Sequence, residues 1–195
     1  SITLVTPIKE GYTFTGWTGT DVPEKTMTVT IPNGSTRDRE YTAHWEINQY
    51  TIILELNGGS ADFTTITQDY NTVIFAPTAT RTGYNFYDWY EDSAFTKVFN
   101  FATMPAKDIT VYAKWILDTT YTGEIGIRTI EELQAIDSYL SGNFYLENDI
   151  DATGFDFKVL AQNEENKFTG VFDGKNYIIN NNVIIRHLNI FLLKT

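Results

Sequence analysis

The chain has 195 residues, enough for more than one small domain, and its 42% hydrophobic content can build at least one core. Acids outnumber bases 25 to 14, for a formal net charge of -11. With no basic cluster, the sequence argues against binding a nucleic-acid backbone and against adsorption to an anionic membrane surface. There is no cysteine, which removes disulfides, thiolate metal sites and cysteine nucleophiles together.

In chain order, the first strong element is Gly11-Tyr12-Thr13-Phe14-Thr15-Gly16-Trp17, an aromatic strand pattern, followed by a second strand at Tyr41-Thr42-Ala43-His44-Trp45. Both return, as Gly83-Tyr84-Asn85-Phe86-Tyr87-Asp88-Trp89 and as Val111-Tyr112-Ala113-Lys114-Trp115. The repeat distance is roughly 70 residues, which suits a small independent module rather than a solenoid turn. Asn48-Gln49 leaves almost no linker between the copies, which favours a stiff end-to-end arrangement.

The second copy is the fuller one. Tyr50 to Leu56 reads as an opening strand with Ile52, Leu54 and Leu56 on one face. Asn57-Gly58-Gly59 closes it in a turn, because these residues tolerate positive φ. A weaker strand covers Thr65 to Tyr70, Pro77 to Thr82 is a connector, and Met104-Pro105-Ala106 is a turn before a final strand from Asp108 to Trp115. The strand Tyr84 to Tyr90 carries aromatics on both faces, which predicts a central position in the sheet. In the first copy, everything matching Tyr50 to Thr72 is missing, so one edge of its sheet is expected to be open and available for pairing.

From Asp118 the pattern changes. Thr129-Ile130-Glu131-Glu132 is a capping box, and Ile130, Leu133, Ile136, Tyr139 and Leu140 share one helical face before Ser141-Gly142 stops the helix. Asn143 to Ile150 reads as a strand. After a polar loop, Phe168 to Ile179 holds short apolar runs around an Asp173-Gly174 turn. Asn180-Asn181-Asn182 separates further short strands. The chain opens in mid-pattern and ends on Phe191-Leu192-Leu193, as a piece of a longer protein would. No signal peptide opens it, and no run of about 18 apolar residues is present.

The G-Y-x-F-x-x-W and A-x-W pair, with Asn57-Gly58-Gly59 after the opening strand, resembles the Listeria–Bacteroides repeat family, the B-repeat modules of internalin-type surface proteins. The resemblance covers Tyr50 to Ile116 well and Thr6 to Glu46 in part. It implies a small β-grasp-like fold on a bacterial cell-surface protein. The tail, at Asn143 to Asp151 and Phe168 to Ile179, resembles the opening of the β-helical segments of bacterial adhesins that carry GLUG motifs.

The candidate functional residues are few. Trp17, Trp45, Trp89 and Trp115 fall at repeat positions on alternating strands, which favours core packing over sugar-stacking platforms. Tyr12, Tyr87 and Tyr90 are expected at the surface and are the candidate ligand contacts. Asp149, Asp151 and Asp156 with Glu147 offer hard oxygen donors, but their spacing does not match a calcium loop and reads as a solvated corner. Asp151 and Asp173 are candidates for a glycosidase-type pair that nothing sets apart from other acids. His44 and His187 do not pair, and His44 is expected to face solvent. There is no G-x-S-x-G and no phosphate-cradling glycine loop.

The resulting expectation is a mainly β (α+β) chain. Residues 1–47 form a truncated B-repeat-like module, 48–117 a complete β-grasp-like one, and 118–195 a short helix with the first rungs of a parallel β-helix. The expected role is a non-catalytic stalk or adhesive segment of a secreted or wall-attached bacterial surface protein, facing host protein or glycan. It implies no cofactor, no metal, no nucleic acid and no membrane insertion within the segment, with self-association through exposed strand edges. The alternative is an accessory carbohydrate-binding or spacer segment of an extracellular carbohydrate-active enzyme.

Overall fold

The computed structural model describes residues 1–161 and 166–180. The strands expected beyond Asn180, and His187, lie outside the described residues. The chain is mainly β. Its first strands are β1 (Ile2–Thr3), β2 (Tyr12–Gly19), β3 (Val22–Thr26), β4 (Thr30–Ile31) and β5 (Tyr41–Ile47). Next come β6 (Gln49–Glu55), β7 (Ser60–Ala61), β8 (Thr65–Asp69), β9 (Ala79–Thr80), β10 (Tyr84–Tyr90) and β11 (Ile109–Leu117). The remainder are β12 (Glu124–Ile127), helix α1 (Ile130–Ala135) running into a 3-10 turn at Ile136–Ser138, β13 (Asn143–Leu146), β14 (Ile150–Asp151), β15 (Val171–Asp173) and β16 (Ile179–Asn180).

Two compact units result. The first comprises residues 1–55, 63–77 and 90–112. Here β2 lies between β3 and β5, antiparallel to both, with Phe14 opposite Trp45 and Trp17 opposite Ala43. Strand β6 pairs antiparallel with β8 on one side and parallel with the first half of β11 on the other, Ile52 opposite Ile109 and Glu55 opposite Tyr112. The alternation of Ile52 and Leu54 buries both, because side chains two apart share a face of the strand. Val111 and Met104 are fully buried in the same unit. Met104, just before the bend at Ala106 and Lys107, is tied on both sides: its N–H donates to the Thr72 carbonyl at 2.9 Å and its own carbonyl accepts from Asn71 at 2.9 Å. The two repeat copies meet in this unit. Asn48 N–H donates to the Gly11 carbonyl at 2.9 Å, and Tyr70 stands edge-on to Tyr12 and Tyr50.

The second unit comprises residues 56–62, 78–89 and 113–195. Asn57 and Gly58 both have positive φ, as the turn ending β6 requires. Strands β7 and β9 pair across Ser60 and Thr80, which gives the expected connector a short strand of its own. Three strands then stack in parallel and in register, Ile125 beside Phe144 and Phe144 beside Phe172, and β14 pairs parallel with β16. Ile125, Ile127, Leu133, Ile136, Phe144, Leu146, Ile150, Leu160 and Phe172 form its apolar core. Tyr84 and Leu117 join the same cluster, so the end of the second repeat and the C-terminal segment share one interior.

Two expectations are corrected here. Among the described residues β10 stands at the end of its sheet beside β11, with only isolated bridges from Tyr84 to Arg81 and from Tyr90 to Val98 besides, so it is a terminal strand and not a central one. Its aromatics on both faces have different fates: Phe86 and Tyr87 remain exposed, while Tyr84 and Trp89 are covered. The helix is also shorter than its apolar spacing implied. Thr129 caps it, with its hydroxyl accepting from Glu132 N–H, but the α-helical turns end at Ala135 and tighten into the 3-10 turn.

Candidate functional site

The three tyrosines expected as ligand contacts differ in their surroundings. Tyr12 is half-buried at the start of β2, with the Lys9 ammonium 3.7 Å from its ring centre. Tyr87 is 56% exposed on β10, with Lys114 Nζ 5.3 Å from its ring centre. Tyr90 is corrected: it is 6% exposed. The loop after β10 folds back on itself, Glu91 N–H donating to the Lys97 carbonyl at 2.8 Å, and brings Phe95 edge-on to the Tyr90 ring at 5.4 Å. The Asp92 carboxylate holds that loop, accepting from the backbone of Ala94, Thr96 and Lys97 and from the Thr96 hydroxyl. Burial works to raise the Asp92 pKa, and these donors outweigh it, so the carboxyl titrates below its ordinary value.

The tryptophans form two equivalent aromatic groups. In the first copy Phe14 stands T-shaped to Trp17 at 5.3 Å and to Trp45 at 5.6 Å. In the second, Phe86 lies 5.6 Å from Trp89 and 5.4 Å from Trp115. Trp89 is buried and the other three are half-buried, so none is an open platform. The Trp115 indole also donates to the Leu56 carbonyl at 2.8 Å.

The acidic residues are used singly. Asp151 accepts from the Thr153 N–H and hydroxyl, Asp149 from Ile178 N–H, and Asp156 pairs with Lys158 at the surface. Glu147 pairs with Arg128 at 3.0 Å. Among the described residues no three carboxylates or histidines gather as metal ligands would. His44 is half-buried rather than solvent-facing, with its Nε2 2.7 Å from the Thr18 hydroxyl.

The arrangement that sequence reasoning missed is centred on Arg81. Its side chain is 3% exposed and makes a two-pronged pair with Glu132, on the first turn of α1. The guanidinium lies 3.9 Å from the Tyr84 ring centre, and the Tyr84 hydroxyl donates to the Gly126 carbonyl at 2.8 Å. Glu132 Oε2 also accepts from Arg128 N–H at 2.8 Å, so the capping residue serves the helix end and Arg81 together. Burial works to lower the Arg81 pKa, and the Glu132 carboxylate outweighs it and raises it. Burial pushes the Tyr84 phenol far up. Beside this group is an open cleft of about 300 Å³ lined by Gly58, Gly59, Ser60, Thr80, Arg81 and Thr82. Its cation is committed to a carboxylate, and the cluster clasps the second repeat to the C-terminal segment. The capping box was the visible half of it. Arg81, 51 residues upstream of Glu132, carried no local signal.

Comparison with known proteins agrees with the doubled motif. Residues 50–114 match the Listeria-Bacteroides repeat domain model, and residues 1–49 match the divergent InlB B-repeat domain model. The chain is 32% identical over 142 residues to an Evansella cellulosilytica protein named "Putative membrane protein", covering 69% of this chain and 21% of that one. It is 34% identical over 112 residues to Internalin H of Listeria monocytogenes, covering 56% of this chain and 20% of the relative. A second Evansella protein, "Putative Gly-rich membrane protein", is 28% identical over 162 residues, covering 82% of this chain and 18% of its own. The chain thus spans about one fifth of the length of these relatives. Among the described residues no helix is long and apolar enough to cross a membrane. Residues 1–114 are covered end to end by two adjacent repeat-domain matches, which place the doubled aromatic motif with the InlB B-repeat and Listeria-Bacteroides repeat domains.

Proposed function

We propose that this chain is a non-catalytic repeat segment of a secreted or wall-attached bacterial surface protein, acting as a stalk that presents an adhesive region and contacting host protein or glycan itself. The observation that carries the reading is the direct succession of two matched repeat modules with no linker, joined at Asn48 and Gly11 and by the rings of Tyr12, Tyr50 and Tyr70. A short connection with its own hydrogen bonds and packed rings limits bending between neighbours, which suits a projecting segment. The relatives' printed names, two membrane proteins and an internalin, support an extracellular setting.

The finer architecture belongs to the same proposal. Residues 48–117 form the complete module, and the parallel pairing of β6 with β11, flanked by antiparallel β8, supports a β-grasp-like sheet. The C-terminal segment from Asp118, as far as the described residues reach, is the helix-capped start of a β-helix. The in-register parallel stacking of β12, β13 and β15, and of β14 with β16, supports it. Residues 1–47 are the other, shorter copy.

The test is a glycan-array and host-cell binding screen of the whole chain, with Tyr87→Ala as the surface variant. Saturable binding weakened by Tyr87→Ala supports an adhesive role on the β10 face. Binding unaffected by it places the contact elsewhere. No binding by the folded chain leaves the stalk role alone.

A further inference from the structure

The cleft beside Arg81 is built from two short strands and a glycine turn. Strands β7 and β9 pair Ser60 with Thr80 and set their hydroxyls 3.3 Å apart. Thr82 lines the same cleft, and its hydroxyl makes no hydrogen bond with any described residue. Gly58, at a φ of +86°, cannot be replaced without filling the site: a Cβ there would stand 2.6 Å from Arg128 Cδ and 3.2 Å from the Nε atoms of both Arg128 and Arg81. Two guanidinium edges therefore flank the bare face of Gly58. A Cβ on Gly59 would run into the Trp115 ring and stand 2.9 Å from the Thr80 carbonyl oxygen. Arg81 gives its terminal nitrogens to Glu132 and the Gly126 carbonyl, and Arg128 gives one of its own to Glu147. Neither Nε–H donates to any described residue.

We propose that this cleft binds one uncharged sugar residue of a glycan. The Nε–H groups of Arg81 and Arg128 donate to its oxygens, and the hydroxyls of Ser60, Thr80 and Thr82 complete the contact. This rests on reading the chain as a glycan-contacting segment, and it gives that contact a place away from Tyr87. A volume of about 300 Å³ is at the small end for a ligand pocket, with room for a single ring. Each guanidinium is already balanced by its own carboxylate, Glu132 or Glu147, so the cleft offers donors without a spare positive charge. In a chain of net charge -11 an acidic sugar would gain no counter-charge there. Hydroxyl side chains both donate and accept, as the hydroxyls of a sugar do. The Nε–H of a cation makes a charge-assisted bond even to a neutral oxygen, and burial with the Glu132 pair holds the Arg81 donor in place.

The experiment is an NMR titration of the whole isotope-labelled chain with the methyl glycosides of glucose, galactose and mannose and with N-acetylglucosamine, glucuronate serving as the charged counterpart. Saturable shifts are expected at the amides of Gly58, Gly59, Ser60, Thr80, Arg81 and Thr82 for at least one neutral sugar, with glucuronate weaker by about tenfold. Arg128 is exposed, so Arg128→Lys keeps the charge and the fold but removes the Nε–H, and it should weaken binding about tenfold. Thr82→Val should act in the same direction, and Tyr87→Ala should leave the affinity unchanged. No saturable shift at these residues in a chain whose spectrum shows it folded would overturn the proposal. Glucuronate binding as tightly as the neutral sugars, or affinity indifferent to Arg128→Lys, would overturn it equally. Shifts centred on Tyr87 would sink the cleft and leave the glycan-contacting reading standing. Saturable cleft shifts beside a negative host-cell and glycan-array screen would keep the site and sink the host contact.

Discussion

The two repeat copies share an aromatic core but differ in depth. In each, a phenylalanine sits between two tryptophans at centre distances of 5.3 to 5.6 Å. In the second copy Trp89 is buried and Trp115 is tied to the Leu56 carbonyl. In the first copy Trp17 is only half-buried. Phenylalanine reverses the trend: Phe14 is buried and Phe86 is 39% exposed. The same short motif therefore builds the same ring geometry, while burial is decided by which segments flank it. Residues 56–62 and 113–180 contribute to the compact unit that holds the second triad.

The strongest way to break this comparison is to truncate the paired tryptophans. Trp89→Ala should cost about 3–5 kcal/mol, the usual range for a fully buried large aromatic, and Trp17→Ala clearly less, both read from urea unfolding followed by near-ultraviolet circular dichroism. Equal losses would mean that the copies are equally well packed. Next is Glu132→Gln, which leaves the 3%-exposed Arg81 side chain without its counter-charge. A loss of about 3 kcal/mol is expected. The counterpart of Arg81 in the first copy, Lys9, is exposed over the Tyr12 ring, so Lys9→Ala should change stability by no more than about 0.5 kcal/mol.

Asp92 gives the pH dependence. Its folded-state pKa lies below the ordinary 3.8. A depressed carboxyl stabilises above its unfolded value, and that contribution is lost as pH falls through the folded value. The order of the loop over Tyr90 should therefore hold at neutral pH and fail at the acid end, below pH 3.8. In Asp92→Ala it should be weaker at neutral pH and insensitive to acid, as Tyr90 and Phe95 ring resonances in NMR would report. The effect is local and the smallest of these on global stability.

Much of the β framework was legible because its signals are local. Alternating Ile52 and Leu54, the Asn57-Gly58 turn, the strand Tyr84–Tyr90 and the Thr129 cap all depend on residues within a few positions of one another. What was not legible depends on distant segments. Tyr90 looked exposed because nothing in its strand announces that Phe95, in a left-handed backbone conformation, folds over it. Strand β10 looked central because aromatics on two faces imply two neighbours, yet Tyr84 is covered by the β12–α1 region, as Ile125 and Ile130 of the same cluster show. Arg81 read as one more charged loop residue, and its partner is 51 positions away. The helix ended early because apolar spacing sets a face and not a length.

The central claim is that β6 covers the edge of β11 along its first half, whereas the matching edge of β5 has no strand on it among the described residues. Amide hydrogen exchange on the whole chain tests it most directly, by comparing Tyr41 to Ile47 with Ile109 to Leu117. Protection of the Ile109 to Tyr112 amides that face β6 should exceed that of the outward-facing amides of β5 by orders of magnitude, since a strand covers the former edge. Equal protection of the two strands would contradict the account and show that the edge of β5 is already filled.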